Sequence, residues 1–106
     1  MLYLIMKNKD EFYQALKGLE KYSTSVCKLI DTFLKIESDC RVTASIEYLM
    51  EATGSTKPTI YSCIKTLKKD HVIMKNNDYR NTYDFNITKV NDIICQYKKQ
   101  QSIILS

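Results

Sequence analysis

Between Thr56 and Lys75 the chain places five lysines, Lys57, Lys65, Lys68, Lys69 and Lys75, against one carboxylate, Asp70. Cations clustered this way bind anions, because each ammonium neutralises a phosphate and releases its counterions. The rest of the chain shows how local the excess is. Residues 1–54 carry seven basic and eight acidic side chains, whereas residues 55–106 carry nine and four, so the second half holds the whole of the net charge of +4. A solvated helix face is the plainer account of a KxxKK run taken alone; what surrounds the run decides between the two.

Other chemistry has little to work with. There is one histidine, His71, and no HExxH, GxSxG or Gly-rich phosphate loop, so no nucleophile and base assemble and no enzyme is expected. The cysteines at 27, 40, 63 and 95 form no CxxC pair. With a single histidine they offer no zinc spacing, and no metal or cofactor is expected. They read as reduced thiols packed as small hydrophobes, a redox sensor being the alternative. The apolar start MLYLIM is too short to span a bilayer and lacks the marks of a signal peptide, so a cytoplasmic protein without a membrane partner is expected.

The lysines need a scaffold, and periodicity supplies one over a single domain, residues 1–106. Residues 1–9 read as a short strand or a tail. A helix is expected from Asp10 to about Lys21 on Phe12, Leu16 and Leu19, its start favoured by Asp10 and Glu11. Ser23, Thr24 and Ser25 break it and offer caps for a core helix carrying Val26, Leu29, Ile30, Phe33 and Leu34 on one face. A short extended piece, Asp39–Val42, follows. Thr43 is expected to cap a helix facing inward through Ile46, Leu49 and Met50, ended by Gly54 in a positive-φ position. Thr56 is expected to cap the next helix, in whose first turn Pro58 is tolerated. Ile60, Cys63, Ile64 and Leu67 turn that helix inward, leaving Lys57, Thr59, Tyr61, Ser62, Lys65, Lys68 and Lys69 outside. Tyr83, Phe85 and Ile87 alternate with polar residues, which predicts a hairpin with Val72–Met74 around a polar tip at Asn76-Asn77-Asp78. Thr88 is expected to cap a last helix, about 88–101, with Val90, Ile93, Ile94 and Tyr97 on one face.

This order, mainly α with a small β-hairpin, resembles the winged helix-turn-helix family of small prokaryotic and mobile-element regulators, with flanking N- and C-terminal helices. The residues that carry the likeness are Leu49-Met50-Glu51-Ala52-Thr53-Gly54-Ser55-Thr56-Lys57-Pro58-Thr59-Ile60, then Ile64 and Leu67. The family's closing x-G-[L/I]-I stands here as Asp70-His71-Val72-Ile73, with His71 in place of the glycine. The resemblance covers about Thr43–Ile87, with the helix-turn-helix about 43–70 and the wing about 72–87. It implies DNA contacts to base edges from Lys57, Pro58, Tyr61, Ser62 and Lys65. From the wing it implies contacts near Lys75, Asn76, Asn77 and Arg80. Thr56 would be both cap and phosphate donor. Thr59, Lys68 and Lys69 complete the exposed side.

Three functions follow as expectations. The first is a sequence-specific binder of duplex DNA, a small transcriptional regulator. It would work as a homodimer through the apolar N-terminus, the last helix or Ile103–Leu105. The second is a replication accessory or initiator protein of a plasmid, phage or other mobile element, with tyrosines such as Tyr61, Tyr79 and Tyr83 stacking on single-stranded bases. The third is a protein-interaction module that reuses the fold.

Overall fold

The core helix is the most strongly patterned segment, and the helix before it, the two helices after it and the first strand pack against it. The computed structural model describes residues 9–105, with side chains through residue 102. The order is α1 (Lys9–Gly18), α2 (Thr24–Ile36), β1 (Arg41–Thr43), α3 (Ile46–Thr53), α4 (Lys57–Lys69), β2 (Ile73–Lys75), β3 (Thr82–Phe85) and α5 (Ile87–Leu105). The protein is mainly helical with one small antiparallel sheet. The apolar residues 1–6 lie outside the described residues. No helix among those described is long and apolar enough to cross a membrane.

α2 buries Val26, Leu29, Ile30, Phe33 and Leu34. Ser23 caps it, its Oγ accepting from the Val26 amide at 3.3 Å. Phe33 stands perpendicular to Phe85 at 6.4 Å and stacks on Tyr83 at 6.1 Å, while Phe12 of α1 also stands perpendicular to Phe85 at 6.2 Å. Each fully buried side chain of this size stabilises by roughly 1.5–3 kcal/mol. The aromatic set therefore binds two helices to one strand. α1 lies along α5, with Gly18 so close to the Tyr97 ring that a Cβ would overlap it, and a Lys98–Glu11 ion pair alongside at 3.4 Å. The α5 residues Val90, Ile93 and Ile94 are buried in the core, and Tyr97 packs against it. The face nominated for dimerisation is thus used within the domain.

The sheet has three strands in the order β1-β3-β2, one more than the expected hairpin. β1 is Arg41–Thr43 rather than Asp39–Val42. Asp39 (φ 53°) and Cys40 (φ 67°) instead make the two-residue turn that joins Ser38 to Arg41 by paired backbone hydrogen bonds of 2.8 and 2.9 Å. Two successive left-handed residues are the type I′ geometry that matches strand twist. The Glu37 carboxylate secures this turn, accepting from the Cys40 amide at 2.9 Å and pairing with Lys9 at 2.7 Å.

Several expected ends move. α1 stops at Gly18, three residues short of Lys21, because Glu20 adopts φ 52° and its amide returns to the Lys17 carbonyl. Ser45, not Thr43, caps α3: Ser45 Oγ accepts from the Tyr48 amide at 3.1 Å, while the Thr43 hydroxyl bonds to that of Thr82 at 2.9 Å. Asn86, not Thr88, begins α5, its carbonyl accepting from Val90 and its Oδ1 from the Lys89 amide at 3.4 Å. α5 runs on to Leu105, past the expected end at 101. Gly54 takes φ 72° and closes α3 as expected, its amide donating to Met50.

α4 ends in a Schellman motif. The Val72 amide donates to the Leu67 carbonyl at 2.9 Å and the His71 amide to Lys68 at 3.1 Å, with Val72 and Leu67 both buried. His71 occupies the left-handed position at φ 62°. A side chain there carries a steric cost of roughly 1–2 kcal/mol that glycine avoids, although glycine gains unfolded-state entropy. His71→Gly is therefore expected to raise stability by a net of about 0.5–1 kcal/mol, read as an upward shift of the denaturant midpoint at constant m-value. Destabilisation would show that the imidazole makes a compensating contact.

Beside this cap Tyr22 donates to Asp70 Oδ2 at 2.8 Å and ties the α1–α2 connection to the end of α4. Burial first, then the bond to Asp70 and its negative charge, push the Tyr22 phenol well above its ordinary value of 10.0. A raised phenol pKa holds its proton in the folded state, so its contribution is complete below pH 10 and lost as pH rises beyond that. Tyr22→Phe should lower stability at neutral pH and flatten the alkaline loss above pH 10 in a urea-melt series. An unchanged alkaline limb would sink this account.

Candidate nucleic-acid interface

α4 has two chemically distinct sides. Ile60, Cys63, Ile64 and Leu67 are buried against α2, α3 and β2. With roughly 100° between successive residues, Lys65 stands at the middle of the exposed arc. Lys57, Tyr61 and Lys68 fall towards one flank, and Pro58, Ser62 and Lys69 towards the other. All seven are exposed, so the helix presents four ammonium groups to solvent. Thr59 is half-buried.

The two flanks look at different neighbours. On one, Ser62, Thr59 and Thr66 line a shallow depression with Ser23 and Ser25, which belong to the start of α2. On the other, α4 packs at β2 of the hairpin, and the Tyr61 phenol adds to the rise of that of Tyr83, although burial is the larger cause. Lys75 stands over the Tyr83 ring at 5.3 Å. The exposed side of α4 and the hairpin are therefore neighbours, and both carry cations and tyrosine rings. Tyr61 is 50% exposed and Tyr79, on the hairpin loop, 58%.

Two expected contributors change role. Thr56 sits at the N-cap position of α4 with extended backbone angles, but its side chain accepts no capping bond. Its hydroxyl pairs with that of Thr59 at 3.0 Å instead. Asn76, expected to reach DNA from the wing, is 8% exposed. Its Nδ2 donates to Asp84 Oδ2 at 3.0 Å and its Oδ1 accepts from the Asp78 amide at 2.8 Å. It is the residue that folds the loop. Lys75, Asn77 and Arg80 remain exposed around it.

Arg41 is the residue that sequence reasoning missed. It comes from β1, whose register sets it opposite Asp84. Its Nε pairs with Asp84 Oδ1 at 3.1 Å and its guanidinium lies 5.1 Å from the centre of the Tyr79 ring. The signal lay in composition: Arg41 and Arg80 are the chain's two arginines among fourteen lysines.

Among the described residues no group of three histidine, cysteine or acidic side chains is placed to hold a metal ion. Burial raises the Cys27, Cys40 and Cys63 thiols above their ordinary range, which keeps them protonated and poorly nucleophilic at neutral pH. No protein-family model matches the chain, nor does any curated protein or solved structure.

The loop contacts separate folding from binding. Asn76→Ala leaves Asp84 and the Asp78 amide short of a partner and should cost about 1–3 kcal/mol. Asn77→Ala, one residue on and exposed, should stay within about 0.5 kcal/mol of the parent. Equal losses in thermal melts would contradict the division of roles.

Proposed function

We propose that the chain is a winged helix-turn-helix protein that binds duplex DNA sequence-specifically, as a small transcriptional regulator. α4 would enter the major groove and the β2–β3 hairpin would act as the wing. One observation carries the reading: the four lysines of α4 are exposed, away from its buried side, and α4 packs beside the hairpin. The short Gly54 turn before α4 and the β1-β3-β2 sheet after it also suit the arrangement. Dimerisation on half-sites a helical turn or more apart belongs to the proposal. Its interface would lie away from Val90, Ile93 and Ile94, which the core already holds. A second reading, binding of unpaired DNA in replication, draws on the exposed rings of Tyr48, Tyr61 and Tyr79.

Binding to random duplex and single-stranded pools across a salt series tests both readings. The first expects tight duplex binding that weakens steeply with salt and leaves a sequence-selected fraction. Preference for single strands would transfer the function to the second. No salt-dependent binding would leave a protein-interaction module. On the selected duplex, Lys57→Ala or Ser62→Ala should relax sequence preference at a cost of about 1–3 kcal/mol each. Lys68→Ala and Lys69→Ala should weaken all duplexes alike and flatten the salt slope. Identical behaviour in all four variants would overturn the assignment of the reading face.

A further inference from the structure

The chain's two arginines meet at one place. Arg41, Thr43, Tyr79, Arg80 and Thr82 line a shallow depression on the β1 side of the sheet. α4 packs at β2, and β1 is the other edge strand, two strand spacings or roughly 10 Å away. The depression, made by β1, β3 and the hairpin loop, therefore lies on the far side of β2 from α4.

Its arginine is oriented before any ligand arrives. Asp84 holds the Nε edge of Arg41 at 3.1 Å, and the plane rests by the Tyr79 ring at 5.1 Å. Asp84 is itself fixed by Asn76 at 3.0 Å. The backbone that carries the ring is bonded as well, the Tyr79 carbonyl accepting from Lys75 Nζ at 3.5 Å. The Arg80 carbonyl accepts from Thr82 Oγ1 at 2.9 Å, and the Asn81 carbonyl from the Ala44 amide at 3.0 Å. A guanidinium bound through Nε keeps its two terminal nitrogens as a planar fork, the geometry that suits phosphate oxygens. Arg80 adds a second cation, so Arg41, Arg80 and Asp84 together net one positive charge.

The geometry points to this depression as a second DNA contact that takes a backbone phosphate of the duplex flanking the α4 site, with Arg41 and Arg80 as its donors. The inference rests on the DNA-binding reading and extends its footprint across the sheet. Lysines on α4, Lys75 on β2, Arg80 at the loop and Arg41 on β1 would then track one stretch of backbone.

The test uses the full chain and two duplexes, one trimmed to the α4 footprint and one with flanks. On the flanked duplex, R41Q and R80Q should each reduce the salt slope by about 0.9, so that the affinity lost between 50 and 200 mM salt shrinks roughly 3.5-fold. Sequence ranking should not change. On the trimmed duplex both variants should match the parent. D84N cuts the same ion pair but leaves the guanidinium, and should keep the parental slope or steepen it. The inference is overturned if R41Q and R80Q leave the flanked slope unchanged, or weaken both duplexes equally. It is also overturned if D84N reproduces R41Q, which would make Arg41 a support of the hairpin alone. The side chain of Arg80 makes no hydrogen bond or ion pair among the described residues, so R80Q decides the matter should R41Q fail to fold. If the parent binds the trimmed duplex through Lys57 and Ser62 while the arginine variants are silent, only this inference fails. If the parent binds no duplex, the DNA reading fails with it.

Discussion

Four residues, Thr82–Phe85, hold this fold together. β3 is the centre of a sheet whose other two strands come from positions forty residues earlier and immediately before it. A central strand must satisfy backbone groups on both edges, and β3 does so between β1 and β2, joining an early part of the chain to the segment that follows α4. Its side chains divide the work. Phe85 closes the aromatic cluster with Phe12 and Phe33, Thr82 is fully buried and bonds to Thr43, and Asp84 faces the surface between Arg41 and Asn76. The same strand that seals the core therefore sets the pose of the loop that reaches outward.

Much of this was legible in the sequence wherever the signal was local. The core face of α2 and the buried face of α4 follow directly from helical spacing, and Gly54 stands where the chain needs a left-handed residue. Caps were harder. Thr43 and Ser45 are both good capping residues, and what separates them is Thr82, a partner 39 positions away. The same holds for Asn76. As a polar residue in a loop it reads as surface, and only the pairing of β2 with β3 brings Asp84 over it. Arg41 was invisible as a site for this reason too. Its neighbours Asp84 and Tyr79 are set by register, a property that periodicity cannot supply for strands of three and four residues.

The turns show how a chain with two glycines manages its reversals. Glu20, Asp39, Cys40, His71 and Asn81 all take positive φ, each at a cost that glycine would spare. At four of these places nearby hydrogen bonds hold the strained residue: Lys17 for Glu20, the paired Ser38–Arg41 bonds for Asp39 and Cys40, and Lys68 for His71. The reversal at Asn81 is anchored through its carbonyl to Ala44. Side chains at such positions reduce the freedom of the unfolded chain, which offsets part of the strain. The turn that leads into α4 uses Gly54, whereas the turn after α4 and those of the sheet are fixed by bonding rather than by glycine.

Composition of the exposed side also bears on what kind of recognition the proposed function would use. α4 shows lysine, threonine, serine, tyrosine and proline to solvent, and no arginine, asparagine or glutamine. Those three residues are the ones with a bidentate geometry for guanine or adenine, whereas lysine is a point charge on a flexible stem. With Asn76 turned inward, Asn77 is the one expected asparagine left at the surface of the hairpin. A duplex held by such a face would be gripped mainly through phosphates and discriminated by a few single contacts together with groove shape. The arginines, which do have the planar fork, stand apart from α4, Arg41 placed by the register of β1 and β3 and Arg80 by the loop between β2 and β3.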